Sequence, residues 1–200
     1  MFPEITRDDI FRLETARLWL RWPRAADAEA FVRYAGDPDV ALKTGRLPYP
    51  YEPRHAEAFI LAARSENAGG EGLILVLTQK RQSDEAIGVV GLHGAERRGA
   101  AALGFWLGKP FWGGGLMTEA AGAMVDLAFG VTSLDRLASS AMPENAASLR
   151  VHQKLGFASL GRKTTYADGR LADIVVEAFE LRRGAAPGAF AARRPTLRSL

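Results

Sequence analysis

The alternation of apolar and polar positions divides the chain into elements. In "ARLWLRW", Leu18 and Leu20 point one way and Arg17, Trp19 and Arg21 the other, which predicts a strand. The period then changes. Ala28, Phe31, Val32 and Ala35 follow Asp27 at helical spacing, and Gly36 and Pro38 are expected to end that helix. A Pro-Tyr loop, "PYPYEP", leads into a second helix from about Pro53, apolar at Ala56, Phe59, Ile60 and Ala63. The runs "LILVLTQ", "AIGVVGLHG" and "AAALGFWLG" come next, separated by the polar links "KRQSDE" and "AERRG", and predict an antiparallel meander.

Beyond the glycines at 113–115, Met117, Ala120, Ala121, Met124, Val125, Leu127 and Ala128 trace a broad apolar helix face as far as Gly130. "RLASSAM" is a strand. "PENAASLRVHQKLGF" is a helix with Asn145 as its candidate cap and Gly156 as its stop. Two strands around "YADGR" close the pattern, and no internal repeat or second domain is visible. The strand before the glycines and the strand after the next helix should run parallel, joined by a right-handed crossover. The expected fold is a mixed α/β (α+β) single domain over residues 1–183, with a mostly antiparallel central sheet and helices on both faces.

Composition narrows the chemistry. The 200 residues contain no cysteine, which excludes disulfides, thiolate metal sites and a cysteine nucleophile. Apolar runs are far shorter than a membrane span, and "MFPEITRDDIFRLETARL" lacks the apolar core of a signal peptide, so a cytoplasmic location is expected. The net charge is +3, but without the five arginines between Arg182 and Leu200 it falls to −2. The basic character therefore belongs to the end of the chain. Residues 184–200, rich in Gly, Ala, Pro and Arg without a period, read as a flexible solvated tail rather than a nucleic-acid contact.

The stretch "KPFWGGGLMTEA" asks for a ligand. A helix N-terminus presents unpaired N–H groups and a positive dipole end. Glycines there let phosphate oxygens reach the amides, so Gly113, Gly114 and Gly115 read either as a pyrophosphate cradle or as a tight turn with no ligand. Leu116-Met117-Thr118 lacks the Lys-Ser/Thr pair of a nucleotide-hydrolysing loop.

The flanking residues resolve that choice by resemblance. "LGFWLGKPFWGGGLMTEA" followed by "PENAASLRVHQKLGF" resembles the GNAT superfamily of acyl-CoA-dependent N-acetyltransferases, and within it the branch of ribosomal-protein N-terminal (RimJ/RimL-like) acetyltransferases. "ETARLWLR" and "YPYEPRHAEAFI" are similar to that branch's first strand and second helix, and the likeness spans roughly Leu13 to Arg182. Pro110 stands where other members often open the loop with Gln or Arg. The resemblance implies a sheet splayed at the cofactor site, acetyl-CoA as acyl donor, and no metal. It implies that Phe105, Trp106 and Leu107 offer backbone groups to the pantetheine arm and that the amides from Trp112 through Gly113, Gly114, Gly115, Leu116, Met117 and Thr118 hold the pyrophosphate. Asn145 and Lys154 are further expected contacts with the cofactor.

For the reaction, the resemblance implies direct attack by a primary amine, a protein N-terminus or a small molecule, with an N–H near Leu107 as oxyanion donor. The branch often carries a glutamate just before "LGFW"; here that place is Ala102. The general base is thus unassigned, with His93 a candidate by its chemistry, and an acyl-CoA-binding module without turnover is the second reading. Ser148 and His152 are the expected catalytic residues, as alternative proton donors to the leaving thiolate. Tyr49 and Tyr51 are expected to border the acceptor pocket.

Overall fold

A computed structural model describes residues 1–81, 84–94 and 99–185, and the backbone of 196–198. Among the described residues, nine strands form one sheet: β1 (Arg12–Glu14), β2 (Leu18–Arg21), β3 (Leu73–Gln79), β4 (Gly88–Gly94), β5 (Ala100–Leu107), β6 (Arg136–Ala141), β7 (Ala158–Ala167), β8 (Ala172–Arg182) and β9 (Thr196–Arg198). Their order is β7-β8-β6-β5-β4-β3-β2-β1-β9. Every pairing is antiparallel except β5 with β6, the predicted crossover pair.

The sheet separates two apolar layers. Leu73, Leu75 and Leu77 of β3 pack with α4 (Leu116–Val131), while Ile74 and Val76 of the same strand pack with α1 (Ala28–Ala35) and α3 (Pro53–Gly69). A strand buried on both faces is a continuous apolar run, which is how "LILVL" reads. The seven apolar positions predicted for the face of α4 are all buried.

The departures have local causes. Pro38 does not merely end α1: it starts a further short helix, α2 (Pro38–Ala41), where Asp37 accepts the Asp39 N–H at 2.8 Å. Asp27 does not cap α1. Its carboxylate takes a two-pronged bond from Arg21 (2.8 and 2.7 Å), so Arg21 lies buried where alternation would have it in water. Of the expected tail, Thr196–Arg198 forms β9 beside β1, and residues 186–195 and 199–200 lie outside the described residues. No helix among the described residues is long and apolar enough to cross a membrane.

Candidate active site

The glycine loop joins β5 to α4. Gly113 (φ 82°) and Gly115 (φ 74°) adopt left-handed backbone, and side chains at Gly113 or Gly114 would point into open space. The first N–H to close within α4 is that of Glu119, onto the Gly115 carbonyl at 3.1 Å. The amides of Leu116, Met117 and Thr118 precede it and have no carbonyl of their own helix to reach. The loop therefore aims a dipole end and a short row of donors outward, the arrangement an anionic group needs.

A clamp fixes this loop. Glu119 accepts from Thr15 Oγ1 (2.6 Å), the Arg17 N–H (2.8 Å) and Arg17 Nε (2.7 Å), and Arg17 Nη1 donates to the Gly114 carbonyl at 2.7 Å. These bonds hold Glu119 below the usual carboxylate range against the opposing effect of burial. Arg17 thereby offsets a negative charge in the first turn of α4 and brings a cation to the glycines. Alternation places Arg17 only as an outward strand residue, and its sole further signal is its place in "ETARLWLR".

The sheet opens beside the loop. β5 pairs with β6 only from Ala100↔Arg136 to Ala102↔Ala138, whereas its ladder with β4 runs on to Gly88↔Leu107. The two strands part beyond Ala102, on the side from which β5 leads to the glycines. Ladder alternation, fixed by the Gly108 N–H on the Ile87 carbonyl (2.8 Å), turns the peptide groups of Leu103, Phe105 and Leu107 into the gap. Trp106 differs from expectation: its peptide groups face β4, and its indole meets Phe31 edge-on in the α1–α3 layer. The Leu107 carbonyl is already taken by Trp112 Nε1 at 2.6 Å. Phe105 and the Leu107 N–H remain for an arm lying in the gap.

The other wall is α5 (Ala146–Lys154). Asn145 is the cap predicted for it: Oδ1 accepts the Ser148 N–H (3.1 Å) and Nδ2 donates to the Lys43 carbonyl (3.2 Å). Ser148 and Lys154 line the cleft, while His152 does not. His152 is fully buried, stacked on Phe179 at 4.4 Å and flanked by Phe105 and Phe157. Its Nδ1 donates to the Ser148 carbonyl (2.8 Å) and its Nε2 meets Ser139 Oγ (2.7 Å). Burial holds the imidazole below its usual pKa, so the neutral ring is favoured. The ring reaches the cleft only through Ser139, whose hydroxyl also lies 2.8 Å from the Leu103 carbonyl at the apex of the splay. Ser139, midway along "RLASSAM", carried no sequence signal.

The cleft holds about 780 Å³, room for a cofactor arm and a small acceptor. It is lined by Phe105, Leu107, Trp112, Gly113 and Gly115 at the loop end and by Phe59, Glu66, Gly91, His93, Ala102 and Gly104 at the other. The Tyr expectation is corrected. Tyr51 is a core residue whose hydroxyl burial pushes up to about 12, Tyr49 is exposed, and neither lines the cleft. The rim comes instead from Lys43, Thr44, Gly45, Arg46 and Leu47. A bond from the Gly169 N–H to the Gly45 carbonyl (3.1 Å) straps that rim to the β7–β8 turn.

Comparison with known proteins agrees with this geometry. The family described as an acetyltransferase (GNAT) domain matches residues 17–158. The chain is 30% identical over 165 residues to the uncharacterized N-acetyltransferase p20 of Bacillus licheniformis, covering 81% of this chain and 92% of that protein. Among solved structures, Mycobacterium smegmatis RimJ in complex with CoA-disulfide superposes with a TM-score of 0.74 at 21% identity, over 91% of this chain and 90% of that one. The microcin C7 self-immunity acetyltransferase MccE, in complex with acetyl-CoA and AMP, gives 0.70 at 19% identity, over 84% and 93%. The chain belongs to the GNAT acetyltransferase family. It is an acyltransferase of the kind that takes its acetyl group from acetyl-CoA.

Proposed function

We propose that the chain transfers the acetyl group of acetyl-CoA to a primary amine, a protein N-terminus or a small molecule, by direct attack with both substrates bound, in the cytoplasm. One observation carries this reading: a single cleft runs from an anion-adapted glycine loop, along unpaired strand edges, to a floor bearing Glu66 and His93. In this reading the amides from Gly113 to Thr118 hold the pyrophosphate, with Trp112 and Lys154 among the residues that line the cleft. The pantetheine amides bond Phe105 and Leu107 as an added strand would. Leu107 to Leu103 spans about 13 Å of strand. An arm entering at the loop therefore brings its thioester nearer Phe105 and Leu103, so the oxyanion donor moves there from Leu107.

The thiolate's proton comes from Ser148, which lines the cleft. His152 does not touch the leaving group and acts as a positioning residue for Ser139 and the Ser148 peptide. Asn145 shapes this wall as a cap. Coenzyme A release, measured with acetyl-CoA over N-terminal Ser and Ala peptides, spermidine and phenethylamine, tests the reading. Release that depends on one amine class supports it. Micromolar acetyl-CoA binding with no release over any amine returns the binding-module reading.

A further inference from the structure

The family resemblance leaves the proton of the attacking amine without an acceptor, because Ala102 stands where a glutamate would be. The structure fills that place from the next strand. His93 lies directly opposite Ala102 in the β4–β5 ladder, so the two side chains stand side by side on the face turned to α3. Its Nδ1 lies 3.0 and 3.1 Å from the two carboxylate oxygens of Glu66 on α3. A carboxylate only accepts, so Nδ1 carries the ring proton and the Nε2 lone pair is turned away from Glu66.

Two glycines make room for this pair. A side chain at Gly72 would collide with the Glu66 carboxylate, and one at Gly91 would stand 3.1 Å from His93 Nε2. The ring therefore leans along β4 over Gly91. Gly91 is paired with Gly104, above which a side chain would meet nothing within 4 Å. Nε2 thus borders the open floor of the cleft, one residue along β5 from both Leu103 and Phe105. Both side chains keep partial contact with water, at 24% and 27% exposure, so protons can be exchanged. Among the described residues packed on the ring, Glu66 is the titratable group; β3 and β5 bring Ile74, Ala102 and Gly104, which carry no charge.

We propose that His93 is the general base of the transfer and Glu66 its positioning residue, replacing from β4 and α3 the carboxylate that β5 lacks. This rests on the amine-transfer reading above. The incoming ammonium gives a proton to Nε2. The neutral amine attacks the thioester carbonyl, forming the C–N bond. As the C–S bond breaks, Ser148 gives its hydroxyl proton to the departing sulfur and takes the adduct's N–H proton in its place, so coenzyme A leaves as the thiol, Ser148 is restored, and His93 returns its proton to solvent.

The test uses the amine that the wild type turns over fastest in the panel above. His93→Ala should lower kcat/KM by 10²-fold or more and erase the acidic limb of its pH profile, with the acetyl-CoA Kd within twofold of wild type. Glu66→Gln should lower kcat/KM with the acetyl-CoA Kd within twofold of wild type, and should let the Nε2–H tautomer of His93 appear. Adding Ala102→Glu to His93→Ala should restore at least tenfold. Near-normal kcat/KM and an unchanged profile in His93→Ala overturn the proposal while leaving amine transfer intact; no release by the wild type over any amine overturns both. The ring state is read without turnover by long-range 1H–15N spectra, which three histidines make assignable. A neutral Nδ1–H form of His93 is expected in the wild type; an Nε2–H form there overturns the assignment.

Discussion

The two ends of the cleft are built on opposite plans. The loop end is local: β5, three glycines and the first turn of α4 follow one another in "LGFWLGKPFWGGGLMTEA", and the chemistry lies in the backbone. The floor is non-local: Glu66, His93 and Ala102 come from α3, β4 and β5, and the chemistry lies in side chains. A backbone site depends on conformation, which few residue types can supply. A side-chain site can be rebuilt from whichever neighbour reaches the same space. Substitution should therefore injure the loop end at single positions, while the floor should allow rescue from a different strand.

Gly115→Glu should break the loop end most severely. It places a side chain on left-handed backbone, with its Cβ 3.7 Å from Arg17 Nη2, and a carboxylate at the proposed pyrophosphate site, within reach of the Arg17 guanidinium that holds Gly114. Isothermal titration should show acetyl-CoA binding weakened by 10²-fold or more, about 2.7 kcal/mol. Unchanged affinity in a folded variant would remove the cofactor from this loop. Arg17→Met should act in the same direction but more gently, about tenfold in Kd, because it frees the loop without obstructing it.

His152→Phe separates a core role from a chemical one. It keeps the stacking on Phe179 and strips partners from the Ser148 carbonyl and Ser139, so stability should fall by about 1–3 kcal/mol with kcat within a few-fold of wild type. A 10²-fold loss of kcat at normal stability would make the ring the acid after all. The pH dependence has a definite sign. The folded-state pKa of His152 is lowered, so between that value and about 6.5 the unfolded chain binds more protons than the native one. Stability from this group is complete above about 6.5 and is lost as pH falls toward the folded pKa. Melting curves should show wild type losing more on acidification from pH 7 to 5 than His152→Phe. Ending the chain after Ala185 should have the smallest effect, since it removes β9 from the sheet edge: the acetyl-CoA Kd should not change, and the melting temperature should drop by no more than a few degrees.

What could be read from the sequence divides along the same line. The helices, the meander and the parallel crossover follow from period and punctuation, which are local. The loop was legible because glycines and a following helix start are adjacent in the chain. His152 could not be placed correctly, because a histidine beside Val151 and Leu155 gives the same pattern whether its ring meets a cleft or three phenylalanines. Tyr51 misled for the same reason: its loop does reach the cleft, but through Lys43 to Leu47. Arg17 and Ser139 matter through partners about 100 and 36 residues away, and no local period reports those. The continuous apolar runs of β4 and β5 do not reveal which residues share a face, so the pairing of His93 with Ala102 waits on the register of that hairpin.

The strap between Gly45 and Gly169 has an evolutionary consequence. It joins the cleft rim at residues 43–47 to a distant hairpin through a main-chain hydrogen bond, and Gly169 packs so closely on the Leu47 peptide that a side chain there would collide with it. Mutations at Lys43 or Arg46 can therefore change the chemistry of the rim without removing this bond. In the reading proposed above, acceptor preference can drift across descendants of this chain while the loop end, which depends on left-handed glycines, stays fixed.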